Sequence, residues 1–78
     1  MNKMSIEYCT MWGYLDKALS LRETIEKQFG IKAELIKGTG GVFEVTLNNS
    51  LIFSKKELGR FPDDNEIKNI IDEYEYVT

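Results

Sequence analysis

Cys9 is the single thiol of this 78-residue chain, and no histidine accompanies it. A histidine-based catalytic triad, a zinc site and a disulfide within the chain are thereby excluded. The chemistry left to Cys9 is that of a lone thiol, and its position sets the terms. It ends the alternating segment Met4-Ser5-Ile6-Glu7-Tyr8-Cys9, just before a helical pattern that begins near Gly13. A thiol at a strand-to-helix junction faces the unpaired N–H groups and positive end of the helix, which favour the thiolate. The plainer reading is a small apolar side chain at a strand end, since free cysteine is among the most buried residue types. The sequence leaves both open.

Three further clusters carry weaker signals. Gly38-Thr39-Gly40-Gly41 has the composition of a phosphate-cradling loop. Such a loop, however, needs a following helix and a Lys-Ser/Thr pair, whereas a strand pattern follows here. A tight turn needing positive φ is the simpler account. Lys55, Lys56 and Arg60 form the one basic cluster, close to Phe53 and Phe61. A solvated loop balanced by Glu57 is the bland reading. The sharper one is a carboxylate site, with Arg60 the better ligand because its planar fork pairs bidentately. Asp63, Asp64 and Glu66 suit the start of a helix, and their spacing is not that of a calcium loop; no metal site is expected.

These groups must be held by a small set of elements. Met4 to Cys9 alternates with the period of a half-buried strand. From about Gly13 to Phe29 a helical stripe runs through Tyr14, Ala18, Leu21 and Ile25, widened by Leu15, Leu19 and Phe29. Gly30 stands where a helix-ending glycine is expected. Ile31 to Lys37 alternates again, and Val42 to Leu47 and Leu51 to Ser54 read as a hairpin about Asn48-Asn49-Ser50. Asp63 with Glu66 forms a capping box after Pro62, opening a helix that buries Ile67, Ile70, Ile71 and Tyr74. The order is β-α-β-β-β-α. Its first three elements have the spacing of a right-handed parallel crossover. The predicted fold is a two-layer α+β sandwich of thioredoxin-like type, one domain over residues 1–78.

Composition narrows the partners. Ten Lys and Arg against thirteen Asp and Glu give a net charge of −3, which argues against nucleic acid as a partner. With 42% hydrophobic and 29% charged residues, the chain reads as an ordinary soluble globular protein. The longest apolar run, Leu51-Ile52-Phe53, is too short for a membrane span or a signal-peptide core. A reducing cytoplasm is the expected compartment.

The segment Glu7-Tyr8-Cys9-Thr10-Met11-Trp12-Gly13-Tyr14 resembles the redox motif of the selenoprotein W family, also called the SelT/SelW/SelH or Rdx family. The resemblance continues through Lys37-Gly38-Thr39-Gly40-Gly41-Val42-Phe43-Glu44-Val45, Ile52-Phe53-Ser54-Lys55-Lys56 and Gly59-Arg60-Phe61-Pro62, covering nearly the whole chain in order. It implies a thioredoxin-like fold and a C-x-x-C or C-x-x-U motif before the first helix. The implied chemistry is thiol or selenol redox, with glutathione or a protein thiol as partner and no bound cofactor. Cys9 matches the first cysteine of that motif, and Thr10 and Met11 lie within it. Gly40, Gly41, Phe53, Arg60 and Phe61 are then candidate contacts for substrate or partner.

Position 12, where the family has selenocysteine or a second cysteine, is Trp12. An indole can neither attack a disulfide nor resolve a mixed one. Two explanations stand. Trp12 is a true tryptophan packing near the helix start, leaving a monothiol or inactive protein. Alternatively it replaces selenocysteine, whose UGA codon is one base from the tryptophan codon. The flanking Gly13-Tyr14 favours the second, because C-x-x-U-G-Y is the pattern of selenium-containing members. Two functions are carried forward: a thiol/selenol oxidoreductase or redox sensor, and a non-catalytic interaction domain with an apolar patch of Trp12, Phe53 and Phe61.

Overall fold

A computed structural model describes residues 2–77 of the chain, with side chains described through residue 74. Its elements are β1 (Met4–Cys9), α1 (Tyr14–Phe29), β2 (Glu34–Gly38), β3 (Phe43–Leu47), β4 (Ser50–Ser54), α2 (Lys55–Leu58) and α3 (Asp64–Val77). The strands form one sheet in the order β2-β1-β3-β4. β1 runs parallel to β2, from Ser5 opposite Glu34 to Cys9 opposite Gly38. It runs antiparallel to β3, which pairs antiparallel with β4. This is the expected two-layer α+β arrangement. The α1 crossover brings the chain back alongside β1, so the first and third elements pair in parallel.

The alternation along β1 sorts its side chains. Met4, Ile6 and Tyr8 enter a core with Phe43, Val45 and Leu47 of β3, Ala18, Leu21 and Ile25 of α1, and Ile67 and Ile71 of α3. Both long helices therefore cover the same face of the sheet. On the opposite face, Ser5 and Thr46 are joined by a hydroxyl–hydroxyl hydrogen bond, and Glu7 lies opposite Glu44. The predicted stripe on α1 is narrower than its apolar residues suggested. Leu15 and Leu19 are exposed, while Ala18, Leu21 and Ile25 are buried in the core and Tyr14 and Phe29 pack against it partly buried. The second strand also differs from the reading at 31–37. Pairing begins at Glu34, while Ile31 and Ala33 are buried in the connection ahead of it.

Local chemistry accounts for the turns. Asn48 and Asn49 take φ of 52° and 70°, the backbone of a two-residue hairpin turn that asparagine tolerates. The Asn48 side chain accepts from Lys3 N–H at 2.8 Å and so ties the hairpin to the start of β1. The helix α2 stands where the charges of residues 55–60 suggest a solvated loop. Ser54 Oγ accepts from Glu57 N–H at 3.2 Å, and Gly59 N–H closes the turn on the Lys55 carbonyl at 2.7 Å. The Ser54-x-x-Glu57 spacing with Gly59 after it is a capping signature that was present in the sequence. The expected box at α3 forms in part: Glu66 Oε1 accepts from Asp63 N–H at 3.4 Å, while Asp63 Oδ1 accepts from Asn65 N–H at 3.2 Å, one residue before the Glu66 N–H of a full box.

Candidate functional site

β1 delivers Cys9 to the end of the sheet. The residue is 2% exposed, its N–H donates to the Val42 carbonyl at 2.8 Å, and it pairs across the ladder with Gly38. A Cβ on Gly38 would lie 2.7 Å from Val42 Cγ2 and 2.8 Å from Glu7 Oε2. Glycine is needed there by close approach, not by backbone angle. The two elements beside Cys9 are thereby drawn together at the mouth of the motif.

Beyond Cys9 the chain turns outward. Thr10, Met11 and Trp12 are all exposed, Met11 at 63% and Trp12 at 99%. The loop closes with Tyr14 N–H donating to the Met11 carbonyl at 3.3 Å. Gly13, at φ 91°, then starts α1 without a side-chain cap. Packing of Trp12 near the helix start, one of the two explanations for it, is not seen: the indole stands free in solvent. A side chain that ordinarily removes 150–250 Å² from water is here wholly solvated. Residue 12 is thus a presented position, and Cys9, three residues earlier, is a covered one.

A second layer of the site forms around Phe61, which is half-buried. Its ring meets Tyr14 edge-on at 5.0 Å and Phe43 at 5.3 Å between centroids. Lys17 Nζ stands 4.8 Å above the Phe61 centroid, and Lys55 Nζ lies 5.4 Å from it and 5.6 Å from that of Tyr14. The hydroxyl of Tyr14 is 3.4 Å from where a Cβ on Gly41 would lie. Gly40 and Gly41 adopt φ of 73° and 77°, the tight turn expected of them. The loop after β1, the glycine loop and the start of α2 therefore converge on Tyr14 and Phe61.

Two candidates are placed elsewhere. Phe53 is a core residue beneath the sheet, so the proposed apolar patch of Trp12, Phe53 and Phe61 does not form. Its alternation within β4, opposite Val45, is what turns it inward. Exposed apolar side chains on the loop after β1 and on α1 are instead Met11, Trp12, Leu15 and Leu19. Arg60 presents no open fork. It pairs bidentately with Glu66, Nη1 to Oε1 at 2.8 Å and Nη2 to Oε2 at 2.9 Å, and its guanidinium lies over the Phe53 ring. The hydrogen bonds from Arg60 hold the Glu66 carboxyl below the usual carboxylate range. Tyr14 and Lys17 belong to the site but were not singled out in it. Their spacing along α1 was visible, but their meeting with Phe61 depends on where the chain between α2 and α3 returns. Among the described residues, no group of three or more Cys, Asp or Glu could hold a metal ion, and no helix is long and apolar enough to cross a membrane.

The geometry has counterparts among solved structures. A selenoprotein W-related protein from Vibrio cholerae superposes with a TM-score of 0.86 over 94% of this chain and 95% of its own; at 24% identity the likeness is one of fold. A Bordetella parapertussis protein superposes at 0.88 with 26% identity, over 94% of this chain and 96% of its own. In sequence, the chain is 35% identical over 66 residues to the bovine protein named migration and invasion enhancer 1, covering 83% of this chain and 57% of the relative. The mouse protein of the same name is 34% identical over 67 residues, covering 85% of this chain and 58% of its own length. The chain thus spans little more than half the length of these two relatives. The sequence profile of the Rdx family matches residues 3–73, and the chain belongs to that family, which takes in selenoprotein W-, T- and H-like proteins.

Proposed function

We propose that the protein is a thiol/selenol redox protein of selenoprotein W type, with residue 12 as the attacking position and Cys9 as the resolving one. The observation that carries this reading is the contrast between a residue 12 that is 99% exposed and a Cys9 that is 2% exposed. An attacking group must be reached by its substrate, whereas a resolving thiol must meet only an intermediate formed next to it. Trp12 stands, on this reading, at a selenocysteine position, and the form carrying Trp12 has no two-chalcogen cycle.

In the active form, a residue 12 selenolate attacks one sulfur of a disulfide RSSR. An Se–S bond forms, the S–S bond breaks, and RS⁻ leaves and takes up a proton. The Cys9 sulfur then attacks selenium, closing an internal Se–S bond and expelling the second RS⁻, which takes up the proton of Cys9 and leaves as RSH. The substrate gains two electrons and the protein loses two; two molecules of a thiol such as glutathione restore it. No histidine base is called for, because a selenol is ionised at neutral pH. A reducing compartment such as the cytoplasm would sustain that last step.

A second reading, a non-catalytic interaction domain, draws on the exposed apolar run Met11, Trp12, Leu15 and Leu19. One experiment separates the two. Trp12→Cys should form an internal disulfide with Cys9 on oxidation and give a glutathione adduct that resolves. A variant that folds but neither cycles nor forms the adduct removes the redox reading and leaves the interaction domain. Codon 12 of the native gene gives an independent check: UGG there would overturn the selenocysteine assignment.

A further inference from the structure

The strand order β2-β1-β3-β4 leaves β2 at an edge of the sheet. An edge presents a row of backbone N–H and C=O groups with no strand beside it. This one carries no proline, and Ile36 at its centre is 40% exposed. The helix above offers a matching flank. α1 packs on β1 and α3 on β4, so the side of α1 that turns away from α3 overlooks the β2 edge. At 3.6 residues per turn, Lys17 and Thr24 share the side that meets α3: Lys17 stands over Phe61, and the Thr24 hydroxyl donates to Asp64. Leu15, Leu19 and Arg22 lie on the opposite side. Both leucines are exposed, and neither Arg22 nor the nearby Asp16 has an ion-pair partner among the described residues.

We propose that this side of the molecule is the interface of a symmetric dimer, in which β2 pairs antiparallel with β2 of a second copy. A two-fold axis perpendicular to the sheet keeps the helices of both copies on one face, and each residue then meets one whose side chain is on its own face. Placed at Ile36, the axis engages the whole strand: Ile36 meets Ile36 of the other copy, Glu34 meets Gly38 and Leu35 meets Lys37, with no like charges opposed. A helix with its side chains is about 10–12 Å across, the width of two strands about 4.8 Å apart, so the two copies of α1 touch along their exposed flanks. Ile36 is level with Glu7, about 7 Å below Cys9, and α1 descends about 1.5 Å per residue from Tyr14, which brings Leu19 to the axis. The helices run antiparallel, and Asp16 and Arg22 stand three residues to either side of Leu19. Arg22 of each copy therefore reaches Asp16 of the other, and the pair forms twice. Charge complementarity of this kind selects a second copy over an unrelated strand. A footprint about 24 Å long and two layers of about 10 Å deep is near 500 Å² a side, the size of a weak complex. No residue of the 9–12 motif takes part, so the dimer is independent of the redox reading.

Sedimentation velocity in the presence of a reductant, which removes disulfide-linked pairs, is the test. The protein should show its 9.0 kDa chain mass at about 10 µM and approach twice that by about 1 mM, as an interface below about 1,200 Å² in total would give. Ile36→Lys sets two ammoniums opposite each other on the axis and should hold the protein at one chain mass throughout. Arg22→Asp should do the same, and Arg22→Asp combined with Asp16→Arg should restore the dimer. Amide NMR shifts between dilute and concentrated samples should map to 34–38 and to Leu15, Leu19 and Arg22. One chain mass at the higher concentration, a dimer that survives Ile36→Lys, a double exchange that does not restore it, or shifts centred on Met11 and Trp12 would each overturn the interface.

Discussion

Replacing Gly38 by alanine tests how the mouth of the motif is assembled. Gly38 does not have positive φ, so alanine meets no backbone obstacle there and the cost is one of space. The added Cβ would lie 2.7 Å from Val42 Cγ2, 2.8 Å from Glu7 Oε2 and 3.0 Å from Glu7 Cγ. Carbon atoms in favourable contact stand about 3.5–4.0 Å apart. Glu7 is on the helix-free face of the sheet and can swing its carboxylate away. Val42 is β-branched and stiff at χ1, and its carbonyl holds the Cys9 N–H, so it yields only with the backbone. Overpacking of this kind costs about 1–3 kcal/mol, and the Val42 contact puts Gly38→Ala near about 2 kcal/mol. In a domain of this size that is a fall in Tm of about 8–16 °C, read by far-UV circular dichroism. Glu7→Ala should recover only part of it, about 0.5 kcal/mol of coupling, whereas Val42→Ala should recover more. Cys9 should also react faster with Ellman's reagent in Gly38→Ala, because moving Val42 strains the 2.8 Å hydrogen bond that holds the Cys9 N–H. A Tm within about 2 °C of wild type, or two additive double mutants, would refute the argument that close approach selects glycine at 38.

Three other outcomes follow from single observations. Trp12 is solvated in the folded state, so its emission maximum should match that of free tryptophan and barely move through a urea transition that circular dichroism detects; a blue-shifted native spectrum would contradict the exposed loop. The Glu66 carboxyl is held below its ordinary range by Arg60, so the folded state binds its proton less readily than the unfolded chain. The stability it contributes is present above the unfolded carboxylate pKa and is lost as pH falls through the lower folded value. Glu66→Gln should flatten that acid limb and reduce its salt dependence, with denaturation midpoints against pH as the measurement. Asn49 has φ 70°, which a β-branched side chain adopts poorly. Asn49→Val should cost about 1–2 kcal/mol in chemical denaturation, whereas Asn49→Gly should be neutral or stabilising.

The amino-acid sequence by itself determined the order and type of the main elements, the two asparagines of the hairpin turn, the Asp63–Glu66 box and the motif that begins at Cys9. All of these are local: hydrophobic period, capping chemistry and positive-φ residues act within a few positions of one another. It also holds the α2 capping signature, Ser54-x-x-Glu57 followed by Gly59, within a stretch whose charges alone suggest a loop. Tertiary structure decided exposure and partnership. Leu15 and Leu19 are as apolar as Leu21, yet Leu21 is buried in the core and they are exposed. Phe53 joined the core because its register in β4 sets it opposite Val45, and Arg60 left the candidate site because α3 brings Glu66 to its fork. The contrast that matters most for function, a covered Cys9 beside a solvated residue 12, has the same origin. The backbone of Cys9 is tied to Gly38 and Val42, some thirty residues away in the chain, and no spacing within the motif encodes that approach.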